Sequence, residues 1–238
     1  MSTRDRWSLL SVLPRSASLF ALVTANLIPL AGLLFFDWDI AVIAVLYWAE
    51  NLIVGGYTIL RMTLVRSPIG AAHLGKMFAI PFFLLHFGGF CAVHGLFLIA
   101  LLKIGGDLHS VFSSIGGAGP FVFLQLLAAV VRRLWETRPP GFVWPLLGLV
   151  ISHGISLVQN DILGNGLESE TIAHLMTRPY RRIAVLHVAI LLGGMAIMTY
   201  DSPLPLLVLL VVLKIGLDVW LHLREHRPRT PSARPTTR

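Results

Sequence analysis

Charged residues and cysteine are both scarce in this chain, and each shortage excludes a class of protein. Asp, Glu, Lys and Arg make up 13% of the 238 residues, about half the share found in a soluble globular domain. The single cysteine, Cys91, excludes an internal disulfide and therefore a disulfide-stapled scaffold. It lies inside an apolar run between two histidines, where we interpret it as a packed small side chain.

Familiar catalytic and ligand-binding motifs are also missing. The sequence contains no HExxH or GxSxG segment, which argues against the zinc proteases and serine hydrolases that use them. The glycine-rich stretch at 103–120 lacks the spacing of a phosphate-binding motif, so we interpret it as a connector. Because no basic patch with interleaved aromatic residues is present, the net charge of +7 predicts contact with anionic lipid headgroups and no nucleic-acid partner.

Apolar residues are abundant instead. They account for 55% of the sequence, and the mean hydropathy is +0.77. Runs of about 20 apolar residues, long enough to cross a bilayer as a helix, recur along almost the whole chain. The pattern predicts an all-α fold, a polytopic transmembrane helical bundle of about seven spans, with about six to eight compatible with the hydropathy. The lipid bilayer is then the main predicted partner.

The predicted organisation is one membrane domain between two polar ends. These parts are a basic cytoplasmic N-terminal segment (1–17), a transmembrane domain (18–223) and a disordered basic tail (224–238). The predicted spans are 18–36, 40–60, 77–102, 120–135, 142–158, 183–200 and 204–223. Residues 159–182 are expected to form a polar connector with one short surface helix. Basic residues beside the early spans place the N-terminus in the cytoplasm, but an odd span count then leaves the arginine-rich tail outside, against the charge bias.

Ionisable side chains inside the predicted spans define the candidate site. A charge in the middle of a membrane helix costs at least about 2.5–3.5 kcal/mol on insertion scales, so such residues are rarely incidental. They are Glu50, His86, His94, His153, His187, Lys214 and Asp218. Compared by depth along their helices, Glu50 is central and most of the others fall on one side of the midplane, which predicts that they converge.

Metal binding is the first interpretation of this set, because neutral imidazoles and carboxylates are common metal ligands. The predicted metal ligands are His94, His153, His187 and Asp218, with His86 as the most distant member. The alternative for each histidine is a neutral imidazole that is hydrogen-bonded between helices.

The remaining polar residues have predicted roles around these ligands. Glu50 is the candidate catalytic residue, and its alternative is a protonated acid bonded to a neighbouring helix. Lys214 and Asp218 stand four residues apart on one helical face and are predicted to form an ion pair. The supporting polar residues are Asn51, Ser152 and Ser156.

Five blocks of the chain resemble the recurrent segments of an uncharacterised prokaryotic family of multi-pass membrane proteins, a domain of unknown function. The blocks are YWAEN (47–51), LLHFGGFCAVHG (84–95), ISHGIS (151–156), RPYRRIAVLH (178–187) and LKIGLD (213–218). The resemblance covers about residues 40–224. It implies a multi-pass protein of the prokaryotic inner membrane and supplies no activity.

Three functions therefore remain open from the sequence. The first is a membrane protein with a buried His/carboxylate site that binds a transition metal (Zn, Fe, Mn or Cu), with metal-dependent catalysis as an extension. The second is a transporter or proton relay that uses Glu50, the histidines and the Lys214/Asp218 pair. The third is a haem-binding protein with bis-histidine ligation, or a membrane subunit without chemistry of its own.

Overall fold

The computed structural model describes residues 32, 33, 35, 38–65, 71–117, 119–139 and 141–225, with the backbone alone at 71–74, 169, 218 and 221–225. Within these residues the chain is all-helical and contains no strand, which confirms the predicted all-α class. The α-helices are α1 (Ile40–Leu64), α2 (Ala71–Leu101), α3 (His109–Phe112), α4 (Val122–Glu136), α5 (Val143–Ser156), α6 (Ile172–Tyr200) and α7 (Leu204–Glu225). The predicted N-terminal segment, most of the first span (18–36) and the tail beyond Glu225 lie outside the described residues.

Four helices among the described residues are long and apolar enough to cross a membrane, which supports membrane association. They are Ile40–Leu64, Gly75–Leu101, Val143–Leu163 and Ile172–Tyr200, and Leu204–Leu217 in α7 is a shorter apolar helix. The predicted fourth span is α4, which has 15 residues and is not among them. At 1.5 Å per residue α4 is about 22 Å long, shorter than a hydrocarbon core of about 30 Å.

The predicted connector at 159–182 is wrong in most of its length. A π-helix, Leu157–Leu163, prolongs α5, and a short 3₁₀ turn, Gly166–Ser169, follows it. Thr171 then caps α6 by accepting a hydrogen bond from the backbone N–H of His174, so α6 begins eleven residues before the predicted span. The arginines at 178, 181 and 182 therefore belong to α6.

The two ends of the bundle can be told apart by the residues that meet there. Leu102, Asp39 and Arg138 line one cleft, so the start of α1, the end of α2 and the end of α4 lie at the same end. Asp201 also lies there, where its left-handed backbone (φ +48°) ends α6 and turns the chain into α7. Arg61, near the last turn of α1, marks the opposite end.

Helices α1, α2 and α6 form the centre of the structure, and small residues allow close approach between them. Helix α2 packs against α1, α4 and α6, while α7 packs mainly on α6 and α5 on α1. A Cβ atom on Gly95 would lie 2.5 Å from Val130 Cγ1 and 2.8 Å from the Trp48 ring, so glycine is required there. The Trp48 indole N–H donates to the carbonyl of Cys91 at 2.8 Å, which ties α1 to α2 beside the buried thiol.

Candidate functional site

Glu50 is the centre of a buried ionic cluster. It is 8% exposed in the middle of α1. One carboxylate oxygen accepts a hydrogen bond from Arg182 Nη1 at 2.6 Å, and the other accepts from Lys214 Nζ at 2.7 Å. The three residues come from α1, α6 and α7, and we refer to them as the ion triad.

Each member of the ion triad depends on the others. Charge-assisted hydrogen bonds are short and roughly twice as strong as neutral ones, and the low dielectric of a protein interior strengthens them further. The same burial makes an unpaired member costly, about 3–5 kcal/mol for loss of one partner of a buried pair. Lys214 also lies over the ring of Tyr47, with Nζ 4.5 Å from the ring centroid, which partly compensates its charge.

His153 on α5 is the nearest titratable neighbour of the ion triad. Its Nε2 lies 3.9 Å from the Glu50 oxygen that Arg182 also binds, slightly beyond hydrogen-bonding distance. The His153 ring is 6.2 Å, centroid to centroid, from Tyr57. Tyr57 in turn donates its hydroxyl to the carbonyl of Val150 at 2.8 Å, so α1 and α5 are joined beside the imidazole.

A second ion pair follows the ion triad along α1. Arg61 Nε donates to Asp161 Oδ2 at 2.5 Å, and both side chains are mostly buried. Asp161 lies in the π-helix that prolongs α5, a rare geometry that is often found at functional sites.

Polar residues form a line along one face of α1. Asp39, Glu50, Tyr57 and Arg61 all fall within about 40° of one another around the helix axis, at 3.6 residues per turn. From Asp39 to Arg61 the line is about 33 Å long at 1.5 Å per residue, which matches the thickness of a hydrocarbon core. We refer to these four residues as the α1 polar line.

A wide groove leads from the start of α1 to the ion triad. It has a volume of about 690 Å³. We refer to it as the lateral groove, and it runs between α1 and the first turns of α5. Its lining residues include Asp39 and Trp38 at one end, Glu50 and Lys214 at the other, and Val42, Ile43, Leu46, Phe142 and Leu149 between them. A separate pocket of about 40 Å³ touches Glu50, Asn51, Arg182 and Lys214 and is large enough for water.

A second polar cluster is built on α2 and α6, away from Glu50. His94 is 2% exposed; its Nδ1 donates to the carbonyl of Phe90 at 2.5 Å, and its Nε2 lies 3.0 Å from Nδ1 of His187. A neutral His94 that donates from Nδ1 accepts at Nε2, so His187 carries its proton on Nδ1. About two turns before His94 on α2, Nδ1 of His86 is hydrogen-bonded to the hydroxyl of Tyr180 at 2.8 Å.

The predicted metal site is not supported by this geometry. Among the described residues, no group of three or more His, Cys, Asp and Glu side chains is placed to hold a metal ion. His94 and His187 do meet, but His153 faces Glu50 and His86 faces Tyr180. These residues were predicted to form one site because they lie at similar depths along their helices. Depth, however, does not determine the direction in which each helix presents its side chain. Asp218 cannot be compared, since its side chain lies outside the described ones.

The bis-histidine haem arrangement is also not formed by the histidines that meet. Metal–imidazole bonds of about 2 Å would place two axial nitrogens about 4 Å apart on opposite sides of an iron. The nitrogens of His94 and His187 are instead 3.0 Å apart and hydrogen-bonded to each other.

The other predicted site residues are distributed as follows. Lys214 binds Glu50, a partner that the prediction of an ion pair with Asp218 did not include. Asn51 is buried beside Glu50, and its amide donates to the carbonyl of Tyr47 at 2.9 Å. Ser156 accepts from Asn160 at 3.1 Å, whereas Ser152 is exposed.

Sequence reasoning missed Arg182, Arg61, Asp161 and Tyr57. The polarity of residues 159–182 places Arg182 in a predicted connector, whereas the structure has it inside α6, where Pro179 is also buried. A usable signal was present: Glu50 is a carboxylate in mid-span and requires a cation, and Arg182 stands only five residues before His187.

The comparisons with known proteins identify a family and no activity. The chain belongs to a family of unknown function, DUF6498, whose model matches residues 8–235. The predicted resemblance to a family of unknown function is thereby confirmed. The chain matches none of the curated proteins and none of the solved structures with which it was compared. Any functional conclusion therefore has to come from the site itself.

Proposed function

We propose that this chain is a multi-pass protein of the cell membrane that carries protons, alone or coupled to a solute, along the α1 polar line. The observation that carries the proposal is the ion triad: a carboxylate buried in mid-helix and held by cations from two other helices. Ionisable residues at membrane depth commonly mark ion pathways and proton relays.

The proposed carrier step is protonation of Glu50. A proton on the carboxylate weakens its bonds to Arg182 and Lys214, so α6 and α7 lose their charged connection to α1. His153, 3.9 Å away, is the next proton acceptor, reached by a small rotation of either side chain or through a water molecule. Beyond it the polar line continues through Tyr57 to Arg61, while the lateral groove reaches Glu50 from the opposite end.

The proposed topology has six spans: helices α1, α2, α5, α6 and α7, and the span that the sequence predicts at 18–36, most of which lies outside the described residues. Helix α4 is too short to cross, and its end lies with the start of α1 and the end of α2. An even count places the basic N-terminus, Arg61, the arginines at the start of α6 and the basic tail on one side. That side is the cytoplasm by the positive-inside rule, so the conflict produced by seven spans is removed.

The test of the proposed function is proton flux into proteoliposomes under an imposed membrane potential, followed with an internal pH dye. We expect flux in the wild type and at least a tenfold loss in Glu50→Gln, because glutamine cannot carry the proton. Glu136→Gln is the matched control, since Glu136 pairs with Arg132 on the exposed surface of α4. Absence of flux from the wild type and from Glu50→Gln alike would count against the proposal.

A second candidate function is a membrane subunit without transport, and the same triad favours it. Both oxygens of Glu50 are used to join three helices, which is sufficient to stabilise their arrangement. This alternative predicts that Glu50→Gln lowers thermal stability while the wild type shows no flux.

A further inference from the structure

The inner end of the lateral groove is lined by ionisable side chains, while its walls are apolar. Lys214 and Glu50 are exposed to the groove at its inner end, and Val42, Ile43, Leu46, Phe142 and Leu149 form the walls. A concave apolar site with a few polar groups at one end, within about 300–1,000 Å³, is typical of small-molecule sites. The groove at about 690 Å³ falls within this range.

The charges around Glu50 do not balance among the described side chains. One carboxylate faces two cations, so the ion triad carries one positive charge when Glu50 is ionised and two when it is protonated. Each cation is partly accessible, with 34% of the Arg182 side chain and 24% of the Lys214 side chain exposed. Protonation of Glu50 therefore frees two charged donors, Lys214 at the inner end of the groove and Arg182 in the small pocket that adjoins it at Glu50 and Lys214.

We propose that the lateral groove binds an amphipathic organic monoanion, whose carboxylate replaces protonated Glu50 on Lys214 and Arg182 while its apolar tail lies along the groove. The proposal rests on the proposed function, because it names the solute that moves with the proton. The apolar walls favour a ligand with one charged head and a hydrocarbon tail. A small inorganic anion would lose its hydration beside these walls without gaining apolar contacts in return. Asp39 at the mouth disfavours a second negative charge on the tail.

Proton and anion binding are linked in this site. The groups that face Glu50 are Arg182 from α6, Lys214 from α7 and His153 from α5, and Tyr47 of α1 lies beside Lys214. Of these, Arg182 and Lys214 hold either the Glu50 carboxylate or the anion, so each anion that binds favours a proton on Glu50. Linkage is reciprocal, and a lower pH must therefore tighten anion binding.

The experiment measures binding of radiolabelled octanoate to the detergent-purified full-length wild-type chain between pH 8 and pH 6. We expect saturable binding that tightens as pH falls, with about one proton taken up per octanoate bound. Proton uptake is read from calorimetry in buffers of different protonation enthalpy. Proton uptake should persist in His153→Asn and disappear in Glu50→Gln. This pair of results identifies Glu50, and not the neighbouring imidazole, as the group that takes up the proton.

Two further measurements test the charge and the position of the head group. Lys214→Gln should weaken octanoate binding at least about tenfold, because a hydrogen bond between charged groups is lost. Lys103→Gln, at an exposed position, should leave the binding unchanged. Octanol, with the same tail and no charge, should compete poorly. Equal binding of octanol and octanoate, or an unaffected Lys214→Gln, would overturn the proposal.

The outcomes also separate this proposal from the proposed function. Octanoate binding with proton uptake, but without proton flux above that of Glu50→Gln either under a membrane potential or down an octanoate gradient, keeps the anion site and removes transport. Proton flux without octanoate binding keeps proton transport and overturns the anion site.

Discussion

The stability of Glu50 and Arg182 variants should reveal how strongly the ion triad is coupled. Arg182→Gln leaves Glu50 bound to Lys214 and removes one hydrogen bond between charged groups, a loss of about 1.5–3 kcal/mol. Glu50→Gln removes the carboxylate that both cations bind, and we expect it to cost more, about 3–5 kcal/mol. The partial exposure of both cations places each variant toward the lower end of its range.

The double variant Glu50→Gln/Arg182→Gln gives the sharper result. Two cations that share one carboxylate stand roughly 5 Å apart, and at an effective dielectric of about 20 their repulsion without it is about 3 kcal/mol. Removing Arg182 as well relieves this repulsion. The double variant should therefore be more stable than Glu50→Gln alone, by about 1–3 kcal/mol.

The assay is thermal unfolding of the purified chain in detergent, where 1 kcal/mol corresponds to about 2–4 °C in a chain of this size. Glu136→Gln should change stability by less than about 0.5 kcal/mol, because its pair with Arg132 is exposed. Additive losses in the double variant, or a Glu50→Gln no less stable than Arg182→Gln, would refute the interpretation of the triad as one coupled unit.

Two other predictions concern packing and topology. In thermal unfolding, Gly95→Ala should destabilise the chain by about 1–3 kcal/mol through overpacking, because the added Cβ would meet Val130 and Trp48. Gly56→Ala is the control: it has open space around it and should be neutral or stabilising. The topology is tested with Lys103→Cys and Arg178→Cys, each made in a Cys91→Ser background and labelled with a membrane-impermeant maleimide. Six spans require that the two cysteines are labelled from opposite sides of the membrane, whereas labelling from the same side would favour seven spans.

Much of the fold could be predicted from hydropathy, because its pattern reports length and burial along the chain. The predicted spans at 40–60, 77–102 and 204–223 correspond to α1, α2 and α7. The bounds of these helices differ from the predicted ones by at most a few residues, except that α2 begins six residues earlier. The failure at the start of α6 has a physical cause. Residues 159–182 were assigned to a connector on their polarity, but polar groups are tolerated in a helix when a partner on another helix compensates them, as Glu50 does for Arg182.

The candidate site was half predictable for a related reason. Glu50, Lys214 and His153 were recognised because each is a charged or titratable residue in an apolar run, and the structure brings all three together. The predicted metal site grouped His153 with His94 and His187, and the described residues do not support it, because a shared depth does not determine which neighbour each side chain faces. Arg182 and His187 are five residues apart on α6, about 140° around the axis at 3.6 residues per turn, so they face different neighbours.

The positions of the charges along the bundle connect the topology to the proposed transport. At the end where α1 begins, the lateral groove carries one acidic group, Asp39, and its apolar walls admit a hydrocarbon tail. At the end where α1 terminates, Arg61 is neutralised by Asp161. In the proposed transport, the lateral groove therefore gives a solute a route to Glu50 from the end where α1 begins. We propose that transport to the other side requires α5 to move relative to α1, a movement that breaks the Arg61–Asp161 pair and the Tyr57–Val150 hydrogen bond.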